Sequence, residues 1–525
     1  MRIWQVAALS LTMTLTAFSP AIAEDQPQSA RPEATAAAAP QSSDTAFTDA
    51  LDKALFAAPA DLPDFEKTER NALAEFYHAR QGAPVWIAAT GLNAKGEAVA
   101  KEIGNASDWG LEAKDFALPT LPAASDGAQA ATPEIRAEAE VTLSLAVLKY
   151  ARYARGGRIM DPAESLNSNL DRKPQLLEPK AVIDGIAQTD APSDYLKSLH
   201  PKHPQFEKLR QAYLAAQTGK TLSVTAKRIR ANMEQWRWMP GDMGNLHVFN
   251  NIPEFMQYVY KDGRIVRSEK IVAGRIDKQS SIFSRPLKHV VLRPMWRVPE
   301  SIKVNELWPS LLRGGGLMRE FGLQLETKDG KRLDYHGIDW KKNDIRNYEV
   351  TQPPGGKSVL GVVKFSFPSQ HTIYMHDTPD RWMFRPAQRT LSHGCLRVKN
   401  PVELAEIILQ DDKGWDKAKV AELIRSGPLN NEVAMDKKIP IHLVYFTAWV
   451  DANGKLKTFY DIYGHEKRII QALDGQWDKI NKGRDHLAPV QPNFKPSQLP
   501  VAERSHRPKD ASAEETLSGA FGMGF

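Results

Sequence analysis

The chain has 525 residues, 69 Lys and Arg against 63 Asp and Glu for a formal charge of +6, 42% apolar residues and a single cysteine. Length points to roughly two to four domains of about 150 residues each, and the composition is that of an ordinary soluble globular protein. A charge excess this diffuse makes no case for nucleic acid, and one cysteine excludes disulfides within the chain and every site built on two or more Cys ligands.

Residues 1–23 carry Arg2, then a mostly apolar run from Val6 to Phe18, then Ala21-Ile22-Ala23 before Glu24. That order is the charged, apolar and small-x-small pattern of a cleaved signal peptide. The apolar run is too short to cross about 30 Å of hydrocarbon, and no other stretch approaches 18 uninterrupted apolar residues. The reading is an exported protein without a membrane span, periplasmic in a bacterium with two membranes. Residues 24–47 are Ala/Pro/Ser/Gln-rich and read as a disordered linker.

From about 48 to 237 the periodicity is helical. Thr132-Pro133-Glu134 marks a helix start, and Val141, Leu145, Leu148 and Tyr150 to Tyr153 follow as its apolar stripe. Further amphipathic pieces are expected around Pro179–Ala187, Pro204–Ala216 and Ala226–Trp238. The aromatics of this half (Trp86, Trp109, Trp236, Trp238) read as core or rim packing.

After Pro240 the pattern alternates. Strands are expected over Leu246–Asn250, Phe255–Tyr260 and Arg264–Val272, with Asp262-Gly263 as a tight hairpin turn. Leu287–Leu292, Gly361–Phe365 and Thr372–Met375 continue the sheet. Ile441–Val450, Asn453-Gly454 and Lys455–Tyr460 read as a second hairpin. A more helical insertion is expected over 301–354, ending in a flexible Gln352 to Gly356. Asn400, Pro401 and Glu403 read as a capping box opening a helix. Pro354 to Ser358 lacks the first glycine of a phosphate loop, since position 351 is Thr, so it reads as a turn, as does Gly314-Gly315-Gly316.

The cluster that carries chemistry is Tyr374-Met375-His376-Asp377-Thr378-Pro379 followed by Leu391-Ser392-His393-Gly394-Cys395-Leu396-Arg397. A thiol becomes a nucleophile when a base or cation favours its thiolate. Two histidines stand 19 and 2 residues before this cysteine. Gly394 allows close backbone approach, amides around Cys395 could serve an oxyanion, and Arg397 adds charge that could hold a carboxylate or lower the thiol pKa. Three readings stay open on residues alone: a nucleophilic cysteine, a His₂Cys zinc site from His376, His393 and Cys395, and a small buried hydrophobe beside a structural turn.

The segment from His376 to Ser392-His393-Gly394-Cys395-Leu396-Arg397 resembles the signature of YkuD-type L,D-transpeptidases. More extended agreement is to the YcbB-like subfamily, in Arg228 to Pro240, Asn251 to Phe255, Trp296 to Ile302 and Tyr374 to Pro379. The resemblance covers about 225–465 strongly and the helical half weakly. It implies an α+β chain: a mostly helical scaffold domain (48–224), then a mainly-β catalytic domain (225–465) with a helical capping insertion or lid (301–354), then a helix and disordered tail (466–525).

It further implies Cys395 as nucleophile and His376 as its general base, oriented by the backbone carbonyl of Asp377. Ser392 and His393 would shape the pocket, Gly394 with the Cys395 amide would form part of an oxyanion hole, Tyr374 would assist there and Arg397 would support the site. The implied reaction attacks the diaminopimelate–D-Ala bond of a peptidoglycan tetrapeptide stem, expels D-Ala, and passes the acyl group from a thioester to another stem's amine, forming 3-3 cross-links. No metal or organic cofactor is implied. The implied partners are donor and acceptor stem peptides, with other wall-synthesis enzymes as candidates, and carbapenems are the family's usual inactivators.

Competing readings are an L,D-carboxypeptidase, a protein-to-peptidoglycan attachment enzyme and a non-catalytic wall-binding scaffold. An NlpC-type peptidase places Cys before His, the reverse of the order here, and a sortase-like enzyme wants a much wider gap between the two. One departure stands out. Only about a dozen residues separate the helix ending near Ala216 from Arg228, so the peptidoglycan-binding module of larger YcbB-like members is missing. Glycan engagement then falls to the mild positive charge and the scaffold aromatics.

Overall fold

The computed structural model describes residues 45–57, 61–121, 131–217 and 221–492. The signal-peptide and linker readings, and that of a disordered tail, lie outside the described residues up to 44 and beyond 492.

From Thr45 to Arg237 the chain is built of helices, and they begin where the sequence supplies a cap. Thr132 accepts from the Ile135 amide at 3.4 Å ahead of the helix Pro133–Gly156, and Ser223 accepts from Ala226 at 3.1 Å ahead of Val224–Arg237. The long helix buries Val141, Leu148 and Tyr150 against Phe47, Leu73 and Trp86. Trp86, Trp236 and Trp238 are buried and Trp109 stacks on His200 at 4.1 Å, so these aromatics pack as expected. The three buried indoles offer no face to a sugar, whereas Trp109 is half-buried and Phe56 and Phe65 of the same half are exposed.

The helix Val224–Arg237 ties this half to the sheet. Trp236 stacks on Phe446 with ring centroids 4.5 Å apart, and Arg230 reaches Glu112 and Asp474, each at 2.5 Å. Glu234, wholly buried, accepts from the amides of Arg158 at 2.5 Å and Ile159 at 2.8 Å. That loop turns at Gly157, whose φ is +85°, and a Cβ there would lie 2.5 Å from the Glu234 carboxylate. Gly157→Ala combines a left-handed strain with displacement of a buried acceptor, so a loss of ~2–3 kcal/mol is expected. Urea unfolding measures it, and a loss below about 0.5 kcal/mol would show that the loop adjusts freely.

Beyond Pro240 lies a sheet of eleven strands. From one edge its order is Asn431–Ala434, His289–Leu292, Val363–Ser366, Met375–His376, Leu396–Val398, Arg264–Gly274, Met256–Lys261, Leu246–Asn251, Pro440–Val444 and Ser284–Pro286. Thr390–Ser392 pairs with the end of Arg264–Gly274. The turn at Asp262-Gly263 has positive φ at both residues, 49° and 75°, as a tight hairpin of this kind requires. One core joins the sheet (Val248, Phe283, Val290, Phe365, Met375, Leu396) to the helix Pro401–Lys413 through Leu404 and Ile408.

Five local expectations change. The strand expected over 441–450 breaks: Pro440–Val444 runs parallel to Leu246–Asn251, while Ala448–Val450 pairs with Leu456–Thr458. The capping box does not form. Asn400 sits at φ 49°, ψ 51° with its amide on Glu269 at 2.6 Å, and Glu403 instead takes Arg267 at 3.1 Å. The strand expected over Thr372–Met375 shortens to Met375–His376. The insertion is only half helical. After short helical turns between Glu300 and Glu320 it forms a small antiparallel sheet of Trp296–Arg297, Glu349–Gln352, Gln324–Glu326 and Arg332–Leu333 over its own core of Trp308, Leu311, Leu325 and Trp340. Gln352 is not flexible, since its amide donates to the carbonyls of Phe321 at 2.8 Å and Lys357 at 2.9 Å.

Candidate active site

Two short strands set the site. Met375–His376 runs parallel to Leu396–Val398 with Met375 opposite Leu396 and His376 opposite Arg397. The Leu396 amide donates to the Tyr374 carbonyl at 3.0 Å, which extends the ladder back toward Cys395. Side chains alternate along strands, so the sequence sorts itself: Met375, Leu396 and Val398 point into the core, and Tyr374, His376, Cys395 and Arg397 share the other face.

The cysteine is held at the end of a tight turn. Gly394 has φ +114°, which suits glycine, and its carbonyl accepts from Ser280 at 2.6 Å. Ser392 donates to the Cys395 carbonyl at 2.6 Å and receives the Gly394 amide at 3.2 Å. The Gly394 N–H is therefore engaged by Ser392 in the resting site. The Cys395 N–H is bonded to no partner among the described residues, and the Tyr374 hydroxyl rests against the sulfur, so both stand where an oxyanion would form.

His376 Nδ1 bonds the Asp377 carbonyl at 2.5 Å. A carbonyl only accepts, so Nδ1 carries the proton and Nε2 keeps its lone pair. Asp377 contributes nothing else to the cavity. Its carboxylate receives the Val362 amide at 3.0 Å and the Thr378 amide at 2.8 Å and pairs with Arg381 at 2.8 Å, facing away from the thiol.

Electrostatics favour a neutral pair at rest. Burial pushes the Cys395 thiol up to about 11, against the opposing pull of the Tyr374 N–H and hydroxyl, Lys364 and Arg397. Burial, with the positive charges of Arg397 and Lys364, drives His376 down to about 3. Arg397 is itself committed to Asp380 at 3.0 Å and to the Thr378 hydroxyl at 3.2 Å, so its field on the thiol is largely compensated. The expectation that it holds a substrate carboxylate loses ground for the same reason.

A cavity of about 980 Å³ opens over the sulfur. Cys395, His376, Tyr374, Ser392, His393, Gly394 and Arg397 all line it, and of the residues singled out from sequence only Asp377 does not. Sequence reasoning missed Lys364, which lies opposite His376 in the sheet with its ammonium 5.3 Å from the centre of the Tyr374 ring. It also missed Glu306 in the 301–354 insertion, bonded to His393 at 2.7 Å, and the stretch 483–491, which walls the cavity from beyond the expected catalytic boundary. Strand pairing alone brings Lys364 in, and Glu306 gives no local signal. Among the described residues no three of His, Cys, Asp and Glu are grouped as metal ligands.

Residues 71–212 match the family described as Scaffold domain, and residues 245–420 match the family described as L,D-transpeptidase catalytic domain, YkuD. The chain is 30% identical over 291 residues to a Haemophilus influenzae protein named "Putative L,D-transpeptidase", an alignment covering 55% of this chain and 58% of that one. It thus spans somewhat over half the length of the curated relative it matches. Among solved structures, an L,D-transpeptidase from Mycobacterium smegmatis aligns with 38% of this chain and 58% of its own at 13% identity and a TM-score of 0.18. The catalytic domain of an E. faecium L,D-transpeptidase acylated by ertapenem aligns with 39% of this chain and 99% of its own at 11% identity and a TM-score of 0.17.

Proposed function

Since this chain carries the YkuD L,D-transpeptidase catalytic domain together with a scaffold domain, we propose that it is a cysteine acyltransferase acting on peptidoglycan stem peptides, with the signal-like segment Met1–Ala23 placing it in the periplasm. The observation that carries the reading is the parallel register of Met375–His376 with Leu396–Val398, which puts the thiol, the imidazole and a phenol on one face of one cavity.

The steps follow from those groups. The Cys395 sulfur adds to the carbonyl of the diaminopimelate–D-Ala bond as its proton passes to His376 Nε2. The oxyanion meets the Cys395 N–H and the Tyr374 hydroxyl. Collapse protonates the departing D-Ala amine from the imidazolium and leaves a thioester. An amine of a second stem then takes the acyl group, giving a 3-3 cross-link. The energy comes from the peptide bond broken, which suits a compartment without ATP. Ser301, Ile302, Asn305 and Glu306 of the insertion and the stretch 483–491 line the cavity, and a substrate filling it would leave less room for water at the thioester, which favours the amine.

Mass spectrometry of the products from a disaccharide-tetrapeptide tests this. Free D-Ala with a cross-linked dimer is the expected result. Tripeptide alone would assign an L,D-carboxypeptidase, and intact tetrapeptide would sink the proposal. A carbapenem should add its mass to the wild-type chain once. A metalloenzyme would instead lose activity to a chelator.

A further inference from the structure

Behind the Gly394–Cys395 turn lies a buried chain of polar groups that no catalytic step uses. Ser280, wholly buried, donates its hydroxyl to the Gly394 carbonyl at 2.6 Å and accepts the Gly274 amide at 2.9 Å. Its own amide donates to the Tyr463 hydroxyl at 3.3 Å, and that hydroxyl donates to the Gly274 carbonyl at 2.6 Å. The Tyr463 amide donates in turn to the Tyr445 hydroxyl at 2.7 Å, which donates to Asp461 at 2.8 Å. The strand Arg264–Gly274 comes this close only because it ends in glycine. A Cβ on Gly274 would lie 2.9 Å from the Gly394 Cα.

The carbonyl that Ser280 holds and the N–H of Cys395 belong to one peptide unit. That unit is trans, like every peptide bond among the described residues, so its C=O and N–H point in opposite directions. Holding the oxygen from behind therefore sets the direction of the N–H in front. Gly394 makes that hold necessary. Glycine changes conformation at little steric cost, so an unanchored plane between Gly394 and Cys395 is free to rotate. Ser392 pins the next carbonyl, that of Cys395, at 2.6 Å, whereas Ser280 pins the unit that carries the N–H.

We propose that Ser280 is a positioning residue for acylation, its hydroxyl aiming the Cys395 N–H at the oxyanion by holding the other end of the same peptide unit. The assignment rests on the cysteine acyltransferase reading above. As the sulfur adds to a substrate carbonyl, the S–C bond forms and the π pair moves onto oxygen. An N–H already aimed there meets that charge without reorganisation. Loss of the hydroxyl leaves the Gly394 carbonyl and the Gly274 N–H unpaired in the interior, and the plane turns as they find other partners. Ser280 bonds neither the thiol nor His376, so the nucleophile and its base keep their places.

Because the chain has a single cysteine, two reagents separate aiming from mere support. Ertapenem acylates the sulfur through a carbonyl and develops an oxyanion. Iodoacetamide alkylates it by displacing iodide, the thiol proton going to the base, and develops none. Mass spectrometry of the full chain follows both rates in wild type and Ser280→Ala. The ratio of ertapenem rate to iodoacetamide rate should fall about tenfold or more, toward the cost of a whole oxyanion donor, with alkylation itself within about threefold of wild type. A smaller change in the ratio, whether both rates fall together or neither does, would overturn the assignment. Alkylation well above wild type would mark an unfolded chain, and Tyr463→Phe then carries the test. That variant keeps the ring and removes only the hydroxyl behind Ser280, so the same ratio should fall by about threefold or more, and an unchanged ratio would overturn the assignment. Wild type that takes on iodoacetamide but no ertapenem would fail the acyltransferase reading itself, a distinct outcome.

Discussion

Cys395→Ser should lower acyl-enzyme formation by about 10⁴-fold or more while leaving the fold unchanged. The substitution keeps the size of the side chain and the turn that holds it, because Ser280 and Ser392 bond the backbone of Gly394 and Cys395 and not the sulfur. What it removes is acidity and polarisability. His376, held at about 3, is a weak base, able to accept a proton from an attacking thiol far better than from a hydroxyl several units less acidic. D-Ala release from tetrapeptide and mass addition by a carbapenem both read the loss. A serine variant within a hundredfold of wild type would move the nucleophile to another residue.

Much of this arrangement could be read from local sequence, and the exceptions share a cause. Helix starts at Thr132 and Ser223 and the hairpin at Asp262-Gly263 depend on a few adjacent residues, so composition reveals them. The break in 441–450 depends on partners two hundred residues away. The Phe446 amide is taken by Asn251 at 2.9 Å, and those of Thr447 and Ala448 by Asn232 at 2.9 and 3.1 Å, so buried asparagines stand in for a sheet neighbour. Asn400 misled for another reason. Its amide is drawn to Glu269 on the neighbouring strand Arg264–Gly274, and its backbone takes the left-handed conformation, which asparagine tolerates, as the chain leaves Leu396–Val398. In the site, Cys395 and His376 stand out because their chemistry is rare in combination. Lys364 and Glu306 are ordinary surface-type residues in sequence, and only a strand register sets the first opposite His376 and only a contact from the insertion sets the second on His393.

His376→Gln should slow acylation at pH 7 by about 10³-fold and, more tellingly, change the shape of the pH profile. In the wild type the imidazole is neutral and able to accept a proton at every pH above about 3, and the thiol keeps its proton until near 11. Acylation is therefore expected to be flat between about pH 5 and pH 9, falling only in strong acid as the base is protonated. Glutamine preserves the hydrogen bond to the Asp377 carbonyl through its amide but accepts no proton. The variant must draw on pre-formed thiolate, about one molecule in ten thousand at pH 7 for a thiol near 11, so its rate should climb tenfold per pH unit across the same range. Carbapenem acylation followed by mass spectrometry measures both profiles with one reagent. A wild-type limb centred between about pH 6 and pH 8 would show a resting thiolate–imidazolium pair and overturn the neutral-pair assignment. A flat profile in the glutamine variant would show that another group takes the proton, with Lys364, whose ammonium burial pulls below its usual range, the nearest alternative.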